Sequence, residues 1–164
     1  MGKPESAGGS AGALDRLTGW PAIILVVAVL ALAFQGTRGI WDPDEGFYSN
    51  VAVGMVQSGD WLVPRLNGHP FLDKPPLHYW GMATGMEIFG INEWGARLFQ
   101  AIWFIGAALI AGALGARLYD SRTGRLAALI YATTLVPFFA ANILTCDTPL
   151  AFFALLVVLC YWRA

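Results

Sequence analysis

The sequence predicts an all-α protein with four membrane-spanning helices, and three observations lead to that prediction. Of its 164 residues, 57% are hydrophobic and 13% are charged, whereas soluble domains carry about 25% charged residues. Charge-free stretches of 21, 19 and 21 residues cover 17–37, 98–116 and 126–146, and about 20 apolar residues cross the hydrocarbon core of a bilayer. A fourth apolar stretch begins at residue 148.

The first three spans are predicted at about 17–37, 95–117 and 125–145. The Gly/Ser/Ala-rich tail 1–16 before them is expected to be disordered. The first span is longer than the apolar core of a signal peptide and lacks a convincing cleavage site after it, so it is interpreted as a retained anchor. Pro137 predicts a kink in the third span.

The fourth span, 148–164, is short. It has 15 uncharged residues before Arg163, which as a helix cover roughly 22 Å, slightly less than a bilayer core. The interpretation favoured here is that 17–164 is the N-terminal part of a larger membrane domain. An unusually short final helix is the alternative.

Charge indicates orientation and partners. Four spans place both termini on one side, and the basic residues of the short turn 117–125 indicate that this side is cytoplasmic. The N-terminus is then cytoplasmic and the polar loop 39–93 faces outward. A net charge of −1 without a basic stripe argues against a nucleic-acid partner, whereas membrane lipids are expected partners.

The outer loop 39–93 predicts two short amphipathic helices. The first would take Asp42 as N-cap, Pro43 as first helical residue and Glu45 as the capping-box acid, and would stop at Gly59. The second follows the prolines of PPLHYWGMATGMEIFG and would stop at its last glycine. Both are expected to lie on the membrane surface, with apolar stripes formed by Tyr48, Val51, Ala52 and Met55 and by Tyr79, Met82, Ala83 and Met86.

The acids of the loop have both a structural and a functional interpretation. Asp44 and Glu45 could simply complement a helix dipole, and Asp73 with Lys74 could be a surface pair. Asp147 lies within apolar sequence at the hinge between spans three and four, where an ionisable residue is costly and indicates function. Span parity puts it on the side of the loop, so Asp44, Asp73, Lys74 and Asp147 are predicted to share a pocket. His69 and His78 are interpreted as hydrogen-bonded interface residues rather than metal ligands.

Several linked motifs give the chain a resemblance to a known family. The succession DPDEGFYSNVAVGMVQSGDWLVPRLNGHPFLDKPPLHYW, GINEWGARL and LTCDTPL resembles the N-terminal part of the C-type (GT-C) polyprenyl-phosphate-sugar glycosyltransferases. The motifs are most similar to bacterial aminoarabinose transferases and protein mannosyltransferases, from about Trp20 onward. The resemblance implies a multi-pass enzyme of the bacterial inner membrane. Such an enzyme transfers a sugar from a polyprenyl-phosphate donor, with inversion, to a lipid, glycan or protein acceptor on the outer face.

The resemblance also implies roles for individual residues. Asp44 would be the catalytic base, because a carboxylate can take the proton of the acceptor hydroxyl. Lys74 would face the carrier phosphate and stabilise its growing charge, with Glu45 and Asp73 in substrate binding and Asp147 as a second catalytic acid. No cofactor is certain. A divalent metal held by Asp44, Asp73 or Asp147 is left open.

One residue limits the family assignment, and two other classes of protein compete with it. Phe47 stands where many aminoarabinose-transferase-like members carry arginine, so the sugar is left unassigned. A small four-span structural or assembly protein without catalysis is the competing hypothesis. A transporter is a third, disfavoured because no span sequence shows a midplane break. As a fragment, the chain alone is expected to be inactive.

Overall fold

The computed structural model describes residues 19–41 and 43–162. The predicted tail 1–16 and the predicted N-cap Asp42 lie outside the described residues. The described part is mostly helical, as predicted, and its strands form one short antiparallel hairpin. The elements are α1 Trp20–Leu32, α2 Asp44–Ser58, β1 Arg65–Leu66, β2 His69–Pro70, α3 Pro76–Phe89, α4 Glu93–Leu118, α5 Ser121–Thr133, α6 Leu135–Ala141 and α7 Asp147–Tyr161.

Helix α4 is the central element, because it packs against α1, α3, α5, α6 and α7. One apolar cluster lies between α1, α4, α5 and α6, around Val27 and Phe104. A second joins α2 and α3 to the N-terminal end of α4, around Met55 and Met82. Both clusters share α4, so this helix connects the apolar bundle to the loop between α1 and α4.

The described helices differ in their capacity to cross a membrane. Within 19–41 and 43–162, α4 alone is long and apolar enough as a single helix; it has 26 residues. Helices α5 and α6 pass the same test only as a pair, and α1 and α7 are shorter apolar helices of 13 and 15 residues. The four-span count therefore stays a prediction.

The predicted third span is broken. Helices α5 and α6 meet at an angle of 63°, and Thr134 between them has φ −68° and ψ 134°. A proline lacks an N–H and its ring clashes with the carbonyl four residues earlier. Starting a new helix at Leu135 places Pro137 in a first turn, where no N–H is needed. The kink thus lies three residues before Pro137, and whether it is a midplane break is left open by the bent pair.

A helix lies at each of the two places predicted in the outer loop. Helix α2 ends at Gly59, whose φ of +70° is left-handed, but Pro43 rather than Asp42 is its N-cap. Helix α3 packs very closely on α4, since a Cβ on Gly85 would clash with the Gly95 carbonyl oxygen. Of the two predicted stripes, all residues are buried except Tyr48, which is half-buried. That the helices lie on the membrane surface stays a prediction.

Candidate active site

Glu45 is the centre of a buried polar network in the outer part of the molecule. Its side chain is 1% exposed, and each carboxylate oxygen accepts three hydrogen bonds. Oε1 accepts from Arg38 Nη2 at 3.0 Å, Arg97 Nε at 3.3 Å and the Leu144 N–H at 2.9 Å. Oε2 accepts from Arg38 Nη1 at 2.9 Å, Arg97 Nη2 at 3.1 Å and the Trp41 N–H at 2.7 Å.

Arg97, on α4, is the buried ion-pair partner of Glu45 and is also 1% exposed, whereas the Arg38 side chain is 37% exposed. Besides its two bonds to Glu45, its Nη1 donates to the carbonyls of Gln35 and Arg38, and its Nη2 to that of Gly39. A guanidinium has five N–H donors, and all five are used. Arg97 therefore fixes the connector between α1 and α2 onto α4.

The network decides the charge and the role of Glu45. Burial raises the pKa of its carboxyl, but hydrogen bonds from Arg38, Arg97 and the amides of Trp41 and Leu144 outweigh burial, and the pKa is lowered. Glu45 lies in the first turn of α2, as predicted, but its side chain is buried in ion pairs rather than exposed. Its contacts are those of a structural anchor, which differs from the substrate-binding role predicted for it.

Asp44 and Asp147 line one open cavity of about 580 Å³. Both carboxylates are exposed to it rather than buried. Asp44 directly precedes Glu45, and Asp147 follows Leu144 by three residues, so the Glu45 network holds the backbone of both. Asp147 Oδ2 accepts a hydrogen bond of 2.9 Å from the Thr145 hydroxyl. The opposite wall is apolar and comes from α6, with Leu135, Val136, Phe139 and Ala140.

Asp73 and Lys74 form a second charged group at the start of α3. Their side chains make an exposed ion pair of 3.5 Å and are not among those that line the 580 Å³ cavity. Tyr48, followed by Asp73, raises the pKa of Lys74, so its ammonium is charged at neutral pH. The 580 Å³ cavity thus accounts for Asp44 and Asp147, and the shared pocket of all four residues stays a prediction.

Tyr48 is influenced electrostatically by charged residues of both pairs. Burial raises the pKa of its phenol, Cys146, Asp44 and Asp73 act in the same direction, and Lys74 acts in the opposite one. Its ring contacts the rings of His78 at 5.3 Å and Tyr79 at 6.2 Å. Sequence reasoning assigned Tyr48 to an apolar stripe and missed this position. A phenol four residues after Asp44 was the available signal, because it lies on the same helix face.

The described residues limit metal binding. Within 19–41 and 43–162, no three His, Cys, Asp or Glu side chains lie close enough to hold a metal ion together. The set of Asp44, Asp73 and Asp147, left open as ligands, does not come together as one group. Two carboxylates and a hydroxyl at the cavity are the candidate oxygen ligands there.

His78 is buried at the interface of α3 with α2. It is 5% exposed, and its Nε2 has no hydrogen-bond partner among the described residues. The prediction that His78 lies at an interface is confirmed. The hydrogen bond predicted for it is not made by Nε2 within the described residues. Burial lowers the pKa of the imidazole to about 4, although Asp147 acts in the opposite direction. The ring is neutral at pH 7.

The depressed pKa of His78 predicts a loss of stability in mild acid. Between about pH 6.5 and pH 4 the unfolded chain protonates this histidine and the folded chain does not, so falling pH favours unfolding. A pKa lowered from 6.5 to about 4 corresponds to a loss of about 3 kcal/mol. Unfolding of detergent-solubilised protein at several pH values measures it. His78→Gln should make the free energy of unfolding depend less on pH. His69→Gln, a change at an exposed histidine, should leave that pH dependence as in the wild type. An equal pH dependence in the two variants would contradict the assignment of the effect to His78.

Solved structures share the fold of the described residues and place the chain with the N-terminal region of the C-type (GT-C) family. ArnT from Cupriavidus metallidurans matches in the apo state with a TM-score of 0.78 and 30% identity, covering 92% of this chain and 27% of that one. The same protein bound to undecaprenyl phosphate matches with a TM-score of 0.75 and 30% identity, covering 87% and 26%.

The chain belongs to the dolichyl-phosphate-mannose-protein mannosyltransferase family, whose model matches residues 73–164. An uncharacterized protein of Aquifex aeolicus is 34% identical over 134 residues, 80% of this chain and 27% of the relative. An undecaprenyl phosphate-alpha-4-amino-4-deoxy-L-arabinose arabinosyl transferase of Pseudomonas aeruginosa is 31% identical over 121 residues, 73% and 22%. The chain thus spans about a quarter of the length of these relatives. It is an integral membrane protein of this family.

Proposed function

We propose that this chain forms the N-terminal part of an enzyme that transfers a sugar from a polyprenyl-phosphate donor to an acceptor hydroxyl or phosphate. The reaction takes place on the outer face of the bacterial inner membrane. The observation that carries the proposal is the joint presence of Asp44 and Asp147 on one cavity. The Lys74 ammonium belongs to the same loop, and its charge acts on Tyr48, four residues after Asp44. The similarity to an ArnT structure bound to undecaprenyl phosphate supports this class of donor.

The proposed chemistry uses one carboxylate and one cation. Asp44 takes the proton of the acceptor hydroxyl while the hydroxyl oxygen forms a bond to the anomeric carbon. The bond from that carbon to the carrier phosphate oxygen breaks, and its electron pair stays on the phosphate. Lys74 stabilises the charge that grows there. Attack from the side opposite the leaving phosphate inverts the anomeric configuration.

The remaining parts of the proposal concern topology and specificity. Helix α1, helix α4, the bent pair α5–α6 and helix α7 would be the four spans, with the N-terminus cytoplasmic. Glu45 would act as the anchor of the site rather than as a substrate ligand. Phe47 is exposed and cannot give an anionic substrate the cation that arginine supplies in many relatives, which leaves the sugar open.

Lys74→Gln in the full-length enzyme tests the donor side. Loss of the ammonium is expected to lower kcat/KM for a polyprenyl-phosphate sugar by at least about tenfold, since a charge-assisted hydrogen bond contributes about 1.5–3 kcal/mol. Transfer of radiolabelled sugar by the purified enzyme in detergent measures it.

Arg65→Gln is the matched control for Lys74→Gln. Arg65 is another exposed cation of the outer loop, paired with Asp60 at 3.6 Å, and its loss should change transfer less than twofold. Equal effects at the two positions would show a general electrostatic attraction and would remove Lys74 from the proposed phosphate site.

A further inference from the structure

The turn between α4 and α5 gathers basic and aromatic residues at the end of the bundle away from the Glu45 network. Arg117 lies in the last turn of α4, and Arg122 and Arg125 lie in the first turns of α5. With Asp120, these arginines give the segment 117–125 a net charge of +2. None of the three makes an ion pair with another described residue.

Close helix packing brings the three arginines to one level. A Cβ on Gly124 of α5 would clash with the Gly112 carbonyl oxygen of α4, and a Cβ on Gly115 would lie 3.2 Å from the Gly124 Cα. The two helices therefore run back along one another from a turn of two residues, Tyr119 and Asp120. Arginines at the end of α4 and the start of α5 must then lie at the same depth.

That depth is the membrane–water interface. Helix α4 has 26 residues and is about 39 Å long, which exceeds a hydrocarbon core of about 30 Å. The first turns of α4 carry Arg97 of the Glu45 network, so the last turn of α4 reaches the headgroup layer on the opposite side of the membrane. Two aromatic residues of the kind enriched at this layer flank the turn. Tyr119 is 78% exposed, and the Trp20 indole N–H donates to the Ser121 hydroxyl at 3.2 Å.

One arginine is already oriented. Arg125 Nη1 donates to the same Ser121 hydroxyl at 3.1 Å, which fixes one nitrogen and leaves other donors of the guanidinium available. The single acid of the turn is used locally, because Asp120 caps α5 by accepting a hydrogen bond of 2.7 Å from the Thr123 N–H.

We propose that the α4–α5 turn binds the phosphate of an anionic phospholipid, with Arg117, Arg122 and Arg125 as its ligands and Tyr119 and Trp20 as interfacial anchors. Guanidinium groups suit phosphate because their planar donors can bind two oxygens at once. Basic groups between helices at the cytoplasmic surface are suited to anionic headgroups. This lipid would be distinct from the sugar donor, which is bound at the other end of α4.

Lipid titration of the full-length protein tests the proposal. Binding of phosphatidylglycerol and of phosphatidylcholine to detergent-solubilised protein is measured by native mass spectrometry. We expect phosphatidylglycerol to bind more tightly than phosphatidylcholine. Each arginine replaced by glutamine should weaken phosphatidylglycerol binding about fivefold, the factor that corresponds to about 1 kcal/mol per basic residue near an anionic surface.

Matched variants separate the turn from general charge and from folding. Arg65→Gln should leave phosphatidylglycerol binding unchanged, and replacing the three arginines of the turn by lysine should preserve most of it. A triple glutamine variant that still binds the lipid like the wild type would overturn the proposal. An equal loss of phosphatidylglycerol binding in Arg65→Gln would also overturn it. Full displacement of the lipid by millimolar inorganic phosphate would overturn it as well, because it would identify a free anion as the ligand. Sugar transfer plays no part in these measurements, so they stand or fall separately from the proposed function.

Discussion

Arg97→Leu is expected to lower the stability of the folded protein by about 3–5 kcal/mol, the cost of breaking a buried ion pair by removing one partner. The substitution removes two hydrogen bonds from Glu45 and one from the Gly39 carbonyl, and it leaves the carbonyls of Gln35 and Arg38 without their side-chain donor. Both partners are 1% exposed, so water cannot replace the lost bonds without entering the packed interior. Thermal unfolding of the detergent-solubilised protein measures the loss.

Two further arginine variants sharpen this test. Arg97→Lys keeps the charge but offers three donors instead of five, and its stability should fall between those of wild type and Arg97→Leu. Arg65→Leu removes an exposed arginine and should cost less than about 1 kcal/mol. If Arg97→Leu unfolded at the same temperature as Arg65→Leu, the network would not carry the stability assigned to it.

Asp44→Asn is expected to abolish sugar transfer by the full-length enzyme, with at least about a hundredfold loss of kcat, because general base catalysis contributes about 10²–10⁴-fold. The amide has nearly the same shape as the carboxylate but cannot take a proton from the acceptor. Asp44 is exposed to the cavity, so folding and membrane insertion should persist. Transfer is measured with the purified enzyme, and insertion with the membrane fraction.

Asp60→Asn is the matched control for Asp44→Asn. Asp60 is another outer-loop acid, whose carboxylate accepts from the N–H groups of Leu62 and Val63, and an asparagine oxygen can keep those bonds. Transfer should therefore stay near the wild-type rate. Wild-type turnover by Asp44→Asn would remove Asp44 from the catalytic role, while loss of its membrane fraction would point to a structural role instead.

Local sequence patterns predicted the helices of the outer loop well, because their information is local. A proline at the start, a glycine at the end and apolar residues at helical spacing placed α2 and α3. The same reasoning read Glu45 as a first-turn acid and missed that it is buried. Its buried partner, Arg97, lies 52 residues away in the chain. No spacing rule connects residues so far apart, so only the folded structure could reveal the network.

The positions of the site residues were predictable only in part, again because sequence patterns carry mainly local information. Span parity could bring Asp147 to the side of Asp44, and the two do line one cavity. Parity gives a side of the membrane and no lateral position, so it could not foresee that Asp73 and Lys74 form a separate pair next to Tyr48. Pro137 predicted a kink but not its position. The kink lies at Thr134 because helix α6 begins at Leu135, which places Pro137 in the first turn of that helix.

The break at Thr134 has a consequence for hydration. In lipid, a backbone whose helical bonds are interrupted must find other partners, so such breaks are tolerated only against protein or water. The Thr133 and Thr134 hydroxyls donate back to the carbonyls of Leu129 and Ile130. These hydrogen bonds give two carbonyls at the end of α5 a side-chain donor. The break leads directly into α6, the wall that faces Asp44 and Asp147 across the cavity. A helix broken beside this cavity fits a recess that admits water to the two carboxylates.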